Sequence, residues 1–225
     1  MKLVAPKSPY GSRGRPDQSR AAILKAAIRE FSKQGMAGAR TDSIAQAAKV
    51  NKALLYYYFK DKESLYGAAL DFAFNQLSDH MIEVLERDLP PGEKILVYVA
   101  NYFDFIASHP HNRNLIQMET MRTGHGSPHL QRIAKRYFLP LYTKLGAVIR
   151  EGIASGQFRP IDPMHFVPSM VALVVFYFIS APVMKTVTGF DPLSPERIAE
   201  RKAAVLDFVS AALFQRLKEP KGERE

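Results

Sequence analysis

Between Thr41 and Leu65 the chain reads TDSIAQAAKVNKALLYYYFKDKESL, and the placing of its small and apolar residues leaves few folds open. Thr41 can cap a first short helix whose inner face carries Ile44, Ala45 and Ala48. Ala45 is small where two crossing helices must come close. Lys49, Val50 and Asn51 follow, so an apolar residue plugs the corner and Asn51 is able to cap a second helix, whose Leu55 points back at Ile44 and Ala45. This spacing predicts a helix-turn-helix, with the second helix standing proud enough to enter a major groove. Lys49 occupies the turn position where glycine is usual, and is expected to take a left-handed or otherwise strained conformation at a cost of roughly 1 kcal/mol.

The run Tyr56-Tyr57-Tyr58-Phe59 spans every direction around a helix, so not all four can be buried. Phe59 and Tyr56, three apart, are expected to face inward. Tyr57 and Tyr58 are then left toward solvent or phosphate, where their hydroxyls suit backbone oxygens.

Val50 to Phe59, followed by Lys60-Asp61-Lys62-Glu63-Ser64-Leu65, resembles the DNA-binding signature of the tetracycline-repressor (TetR) family of bacterial transcription regulators. The likeness covers about Asp17 to Leu70, with Tyr56, Phe59 and Lys62 on the family's recurring positions; Lys49 and Asn51 depart from its usual turn residues. The resemblance implies an all-α chain of about nine helices that dimerises through its last two. It also implies operator contacts from the helix-turn-helix. Lys52, Ala53 and Leu54 are expected at base edges and Tyr57 and Lys62 at the phosphate backbone, with Thr41 and Tyr58 also counted among the DNA-binding residues.

Charge supports the same partner. The formal net charge is +9, and residues 1–66 hold 13 Lys or Arg against 5 Asp or Glu, leaving the remainder close to neutral. A basic excess alone would also suit a membrane surface or an acidic protein; its coincidence with the helix-turn-helix favours double-stranded DNA. Residues 1–16 carry Lys2, Lys7, Arg13 and Arg15 without an acid and are expected to form a disordered basic arm. Its Arg13-Gly14-Arg15-Pro16 resembles an AT-hook core, which would reach a minor groove; a solubilising tail is the alternative. Zero cysteine excludes disulfides and thiolate chemistry, and with no apolar N-terminal stretch a cytoplasmic address is expected. Phe166 to Met184 runs nineteen residues without a charge, a length that would permit a membrane span. Pro168 and Pro182 within it, and the lack of a flanking basic cluster, favour a helix buried between a domain core and a second subunit.

Helical punctuation continues to the end of the chain. A helix capped by Asp17 or Ser19 is expected to stop at Gly35, and one opening at Asp61 to run to Pro90-Pro91-Gly92. Ser127-Pro128, Asp162-Pro163 and Ser194-Pro195 each open another, the first kinked at Pro140. The expected division is the arm at 1–16, a DNA-binding domain at 17–66, and a helical effector-binding and dimerisation domain at 67–219. Val171, Val174, Val175, Phe178, Phe208 and Val209 on the last two helices are expected at a two-fold dimer interface.

An enzyme is the rival class. No phosphate loop, dinucleotide fingerprint, nucleophile elbow or HExxH occurs, so no catalysis, cofactor or metal is expected; the His109/His111 and His125/His129 pairs read as loop and helix-end histidines. A small-molecule pocket is expected instead from Tyr102, Phe103, Met118, Met121, Phe138, Tyr142, Phe176 and Tyr177, whose Met and aromatic character suits an apolar effector. Arg122 is placed to pair with a ligand carboxylate. The chain thus reads as a homodimeric repressor that leaves a palindromic operator when an effector binds, the alternative being a DNA-binding dimer without one.

Overall fold

The computed structural model describes residues 16–121 and 128–214. Among these the fold is all-α, the only bridge outside the helices being the isolated pair Phe158–Phe214. In order come α1 (Pro16–Gly38), α2 (Thr41–Ala47), α3 (Lys52–Tyr58), α4 (Lys62–Leu85), α5 (Pro91–Ser108), α6 (Pro110–Met121), α7 (Pro128–Ile133), a π-helical turn (Ala134–Phe138), α8 (Leu139–Ala154), α9 (Pro163–Thr188) and α10 (Pro195–Leu213). α7, the π turn and α8 are continuous and make up the single long helix expected after Ser127. Arg13, Arg15 and Arg122 lie outside the described residues.

The chain divides into two compact units, Met1–Phe74 with His111–Leu130, and Asn75–Pro110 with Gln131–Glu225. In the first, α1, α2 and α3 pack around Phe31, Ile44, Leu55 and Phe59, all buried. The first helical stretch of α1 stops at Gly35 as expected: that glycine takes φ 65° and ψ 177°, and a short second stretch follows it to Gly38. Asp17 or Ser19 does not open it, since Pro16 is already helical and Asp17 sits in the first turn. α6 belongs to this unit, where Tyr66 donates to the buried Glu119 carboxylate at 2.9 Å and His111 Nδ1 lies 3.0 Å from Ser32 Oγ.

In the second unit α5, α8, α9 and α10 surround a core built on Ile95, Val99, Phe103, Leu145, Ile149, Val174 and Phe178. Local chemistry opens its helices as the sequence suggests. Asp162 accepts from the Met164 amide at 2.8 Å and Ser194 from the Arg197 amide at 3.4 Å, each with proline next in the chain. Pro140 lacks an amide hydrogen, and its ring would press on the carbonyl four residues back. The π turn absorbs this, the Leu139 amide bonding five residues back to Ala134.

α9 is long and apolar enough to cross a membrane by length and composition, yet it packs against α5, α8 and α10.

Candidate DNA-reading face and apolar cavity

The corner between α2 and α3 is a Schellman turn. The Val50 amide donates to Ala45 O and the Lys49 amide to Gln46 O, both at 3.0 Å, and Lys49 takes φ 57° as expected for a left-handed turn residue. Asn51 caps α3, its Oδ1 accepting from the Leu54 amide at 2.7 Å, and Asp61 caps α4 by accepting from Ser64 at 2.7 Å. Thr41 does not cap α2. Arg40 holds that position with its amide on Glu30 Oε1, freeing the Thr41 hydroxyl to meet the Tyr56 hydroxyl at 3.2 Å. Tyr56 accordingly faces outward rather than into the core, because Leu55 and Phe59 alone fill the space behind α3.

On the outer side of α3, Lys52 and Ala53 are exposed, Leu54 is half-buried, and Tyr57 is 80 % exposed. Tyr58 is half-buried, edge-on to Tyr57 with centroids 5.3 Å apart. Lys52 pairs with Asp42 at 2.8 Å, and this bond holds the carboxyl below its ordinary range and the ammonium above its own. Lys62 Nζ donates to Ala37 O at 2.9 Å, closing the last turn of α1.

The second unit contains an apolar cavity of about 430 Å³. Of the residues singled out for a pocket it brings together Tyr102, Phe138 and Tyr142, on α5, the π turn and α8, and adds Tyr98, Leu77, Met81 and Leu145. The other pocket candidates lie elsewhere. Phe103 is fully buried against Phe178, Tyr177 donates to Pro192 O at 2.6 Å, Phe176 points outward, and Met118 and Met121 are exposed on α6 of the first unit. Tyr98 was legible in principle, standing four residues before Tyr102 on one helical face. Phe138 reaches the cavity because the π turn shifts the helical register there, which no periodicity reveals.

Of the residues assigned to a dimer face, Val174, Phe178 and Val209 are buried inside the protomer, and Val171 lines the cavity. Val175 is half-buried, and Phe208 is 59 % exposed. An unbroken apolar helix gives no period from which to read its inner face; burial of Val174 and packing of Phe178 on Phe103 of α5 decide it, leaving Phe176, Val183 and Val187 outward. His125 lies outside the described residues, and His109 and His129 have separate partners. His109 stacks on Phe105, with centroids 4.2 Å apart, and His129 Nε2 lies 2.8 Å from Glu63.

A capped, exposed recognition helix held by a Schellman turn, in a chain whose second unit encloses an apolar cavity, defines the helix-turn-helix regulators of transcription. Residues 23–69 match the bacterial regulatory proteins of the tetR family, and residues 91–209 the tetracyclin repressor-like C-terminal domain. The chain belongs to the TetR family and is a DNA-binding regulator, not an enzyme. It is 33% identical over 171 residues to the HTH-type transcriptional regulator RutR of Escherichia coli (strain K12), covering 75% of this chain and 77% of that protein. It is 27% identical over 164 residues to the HTH-type transcriptional repressor NicS of Pseudomonas putida, covering 73% and 77%. Among solved structures, AibR in complex with isovaleryl coenzyme A and operator DNA shares the fold, at a TM-score of 0.70 and 17% identity over 87% of this chain and 100% of that one.

Proposed function

We propose that the chain is a homodimeric repressor that binds a palindromic operator in the cytoplasm and releases it when an apolar small molecule enters the cavity of the second unit. The cavity itself carries this reading: about 430 Å³ lies within the range of drug-sized ligand sites, and its wall is aromatic and aliphatic. Leu77 and Met81, on the second half of α4, form part of that wall, and the first half of α4 belongs to the DNA-reading unit. A ligand that displaces these side chains therefore acts on a helix shared by both units. The solved relative bound to an acyl-coenzyme A and operator DNA supports the pairing of ligand and operator.

At the operator, Lys52, Ala53 and Leu54 meet base edges, while Thr41, Tyr57, Tyr58 and Lys62 meet phosphates. Arg13 and Arg15 reach the neighbouring minor groove. Dimerisation uses the outward faces of α9 and α10, through Phe176, Val183, Val187 and Phe208.

The test is a thermal-shift screen of apolar compounds, followed by titration of each hit with and without an operator duplex selected from random DNA by the chain itself. An effector that weakens operator binding about 5- to 150-fold must itself bind more weakly to the operator complex by the same factor. Hits with equal affinity in both states would leave the DNA-binding dimer without an effector as the correct reading.

A further inference from the structure

Tyr98 and Tyr102 stand four residues apart on α5, so their side chains share one face. The rings are nearly parallel, at 11°, with centroids 6.3 Å apart. Both residues are buried and both line the apolar cavity. Among the described residues neither hydroxyl has a hydrogen-bond partner, and neither is sealed among protein atoms. Other tyrosines of this unit differ: Tyr177 donates to Pro192 O at 2.6 Å, and the Tyr142 hydroxyl lies 3.2 Å from Met164 Sδ. Hydroxyls that meet no acceptor in the protein and open on a cavity take their partner from whatever fills it, water or a ligand. Two such groups side by side in a ligand-sized cavity are placed for something that enters it.

The chemistry of that visitor follows from its surroundings. Burial pushes both phenols above the ordinary tyrosine range, so they stay protonated and able to donate. The only charged side chain among the described lining residues is Lys135, which is itself exposed. An anion seated at the tyrosine pair would lose its hydration with no buried cation to replace it.

We propose that Tyr98 and Tyr102 form the polar anchor of the cavity, and that its ligand is a neutral, largely apolar molecule carrying a carbonyl-type oxygen that accepts from the two hydroxyls. This rests on the reading of the cavity as the effector site. Carboxylates of the same shape are excluded by the same physics, unless their charge remains at the Lys135 side.

Three probes of one shape separate the possibilities: 4-acetylbiphenyl, 4-isopropylbiphenyl and biphenyl-4-carboxylate, titrated calorimetrically into the full chain. The acetyl compound is expected to bind tightest. The double variant Tyr98→Phe/Tyr102→Phe should weaken it by about 10-fold while changing the isopropyl compound by less than about two-fold, since only the hydrogen bonds are removed. Because no protein partner is lost, the variant should melt no lower than the parent. Unchanged acetyl affinity in the double variant, or equal affinity of the acetyl and isopropyl probes for the parent, would overturn the anchor and leave the cavity reading standing. A clear fall in melting temperature would assign the hydroxyls to the fold instead. Failure of all three probes to bind the parent would overturn the cavity reading, and the anchor with it.

Discussion

The Lys52 ammonium lies 2.8 Å from the Asp42 carboxylate, so the first side chain of the recognition helix is tied to the helix before it. Both groups are exposed, and a bond of this kind is easily exchanged for one to DNA. Lys52→Ala should relax base preference at one position per half-site by about 1–3 kcal/mol, and Asp42→Asn should tighten binding by freeing Lys52 and removing a negative charge. Titration of single-base operator variants reads both effects. If every position keeps its preference in Lys52→Ala, Lys52 is a backbone contact.

Lys62 donates to Ala37 O at 2.9 Å, a structural bond beside the phosphate contact proposed for it. Lys62→Ala should therefore weaken all DNA alike, reduce the salt slope of binding by about one per subunit, and cost the fold about 1 kcal/mol. An unchanged salt slope would leave Lys62 with the structural role alone.

Assembly separates two kinds of apolar residue on α9 and α10. Phe176→Asp and Phe208→Asp, on side chains 66 % and 59 % exposed, should give folded monomers that bind operator poorly. Val174→Asp, at a position 0 % exposed, should unfold the unit by burying a charge. Light scattering with circular dichroism distinguishes the outcomes, and folded dimers from both surface variants would exclude this face.

His111 makes stability depend on pH. Burial, with Lys33 and Arg29 nearby, holds its imidazole below the ordinary value. The unfolded chain then binds the proton more readily, so this contribution is fully present above about pH 6.5 and is lost as pH falls toward the lowered value. Melting temperature should decline over that window, and His111→Gln should flatten the decline. Asp42 adds nothing there, because its carboxyl is held charged below the usual carboxylate range by Lys52. An equal decline in the variant would assign the slope to other groups.

Gly152 is required by packing. A Cβ there would run into the Phe158 ring, which is buried and set edge-on to Phe214 with centroids 5.6 Å apart. Alanine in a helix gains about 1 kcal/mol over glycine, whereas overfilling a packed core costs about 1–3 kcal/mol. Gly152→Ala should therefore lower the melting temperature by a few degrees, and a rise would mean that the ring yields freely.

The amino-acid sequence by itself determined what acts over a few residues. Asn51, Asp61, Asp162 and Ser194 cap helices because each side chain reaches an amide two or three positions ahead, and Lys49 turns left-handed because the turn geometry requires it. The basic first third, the all-α class and the family signature were legible on the same grounds. Only tertiary structure decided matters that depend on distant neighbours. Val174 and Phe178 face inward while Phe176 does not, Tyr98 and Tyr102 share a cavity wall that Phe103 misses, and α6 joins the first unit through Glu119 and His111, which bond to residues 53 and 79 positions away. A helix apolar on every side carries no period that marks its buried face, and a cavity exists only where several helices fail to fill the space between them.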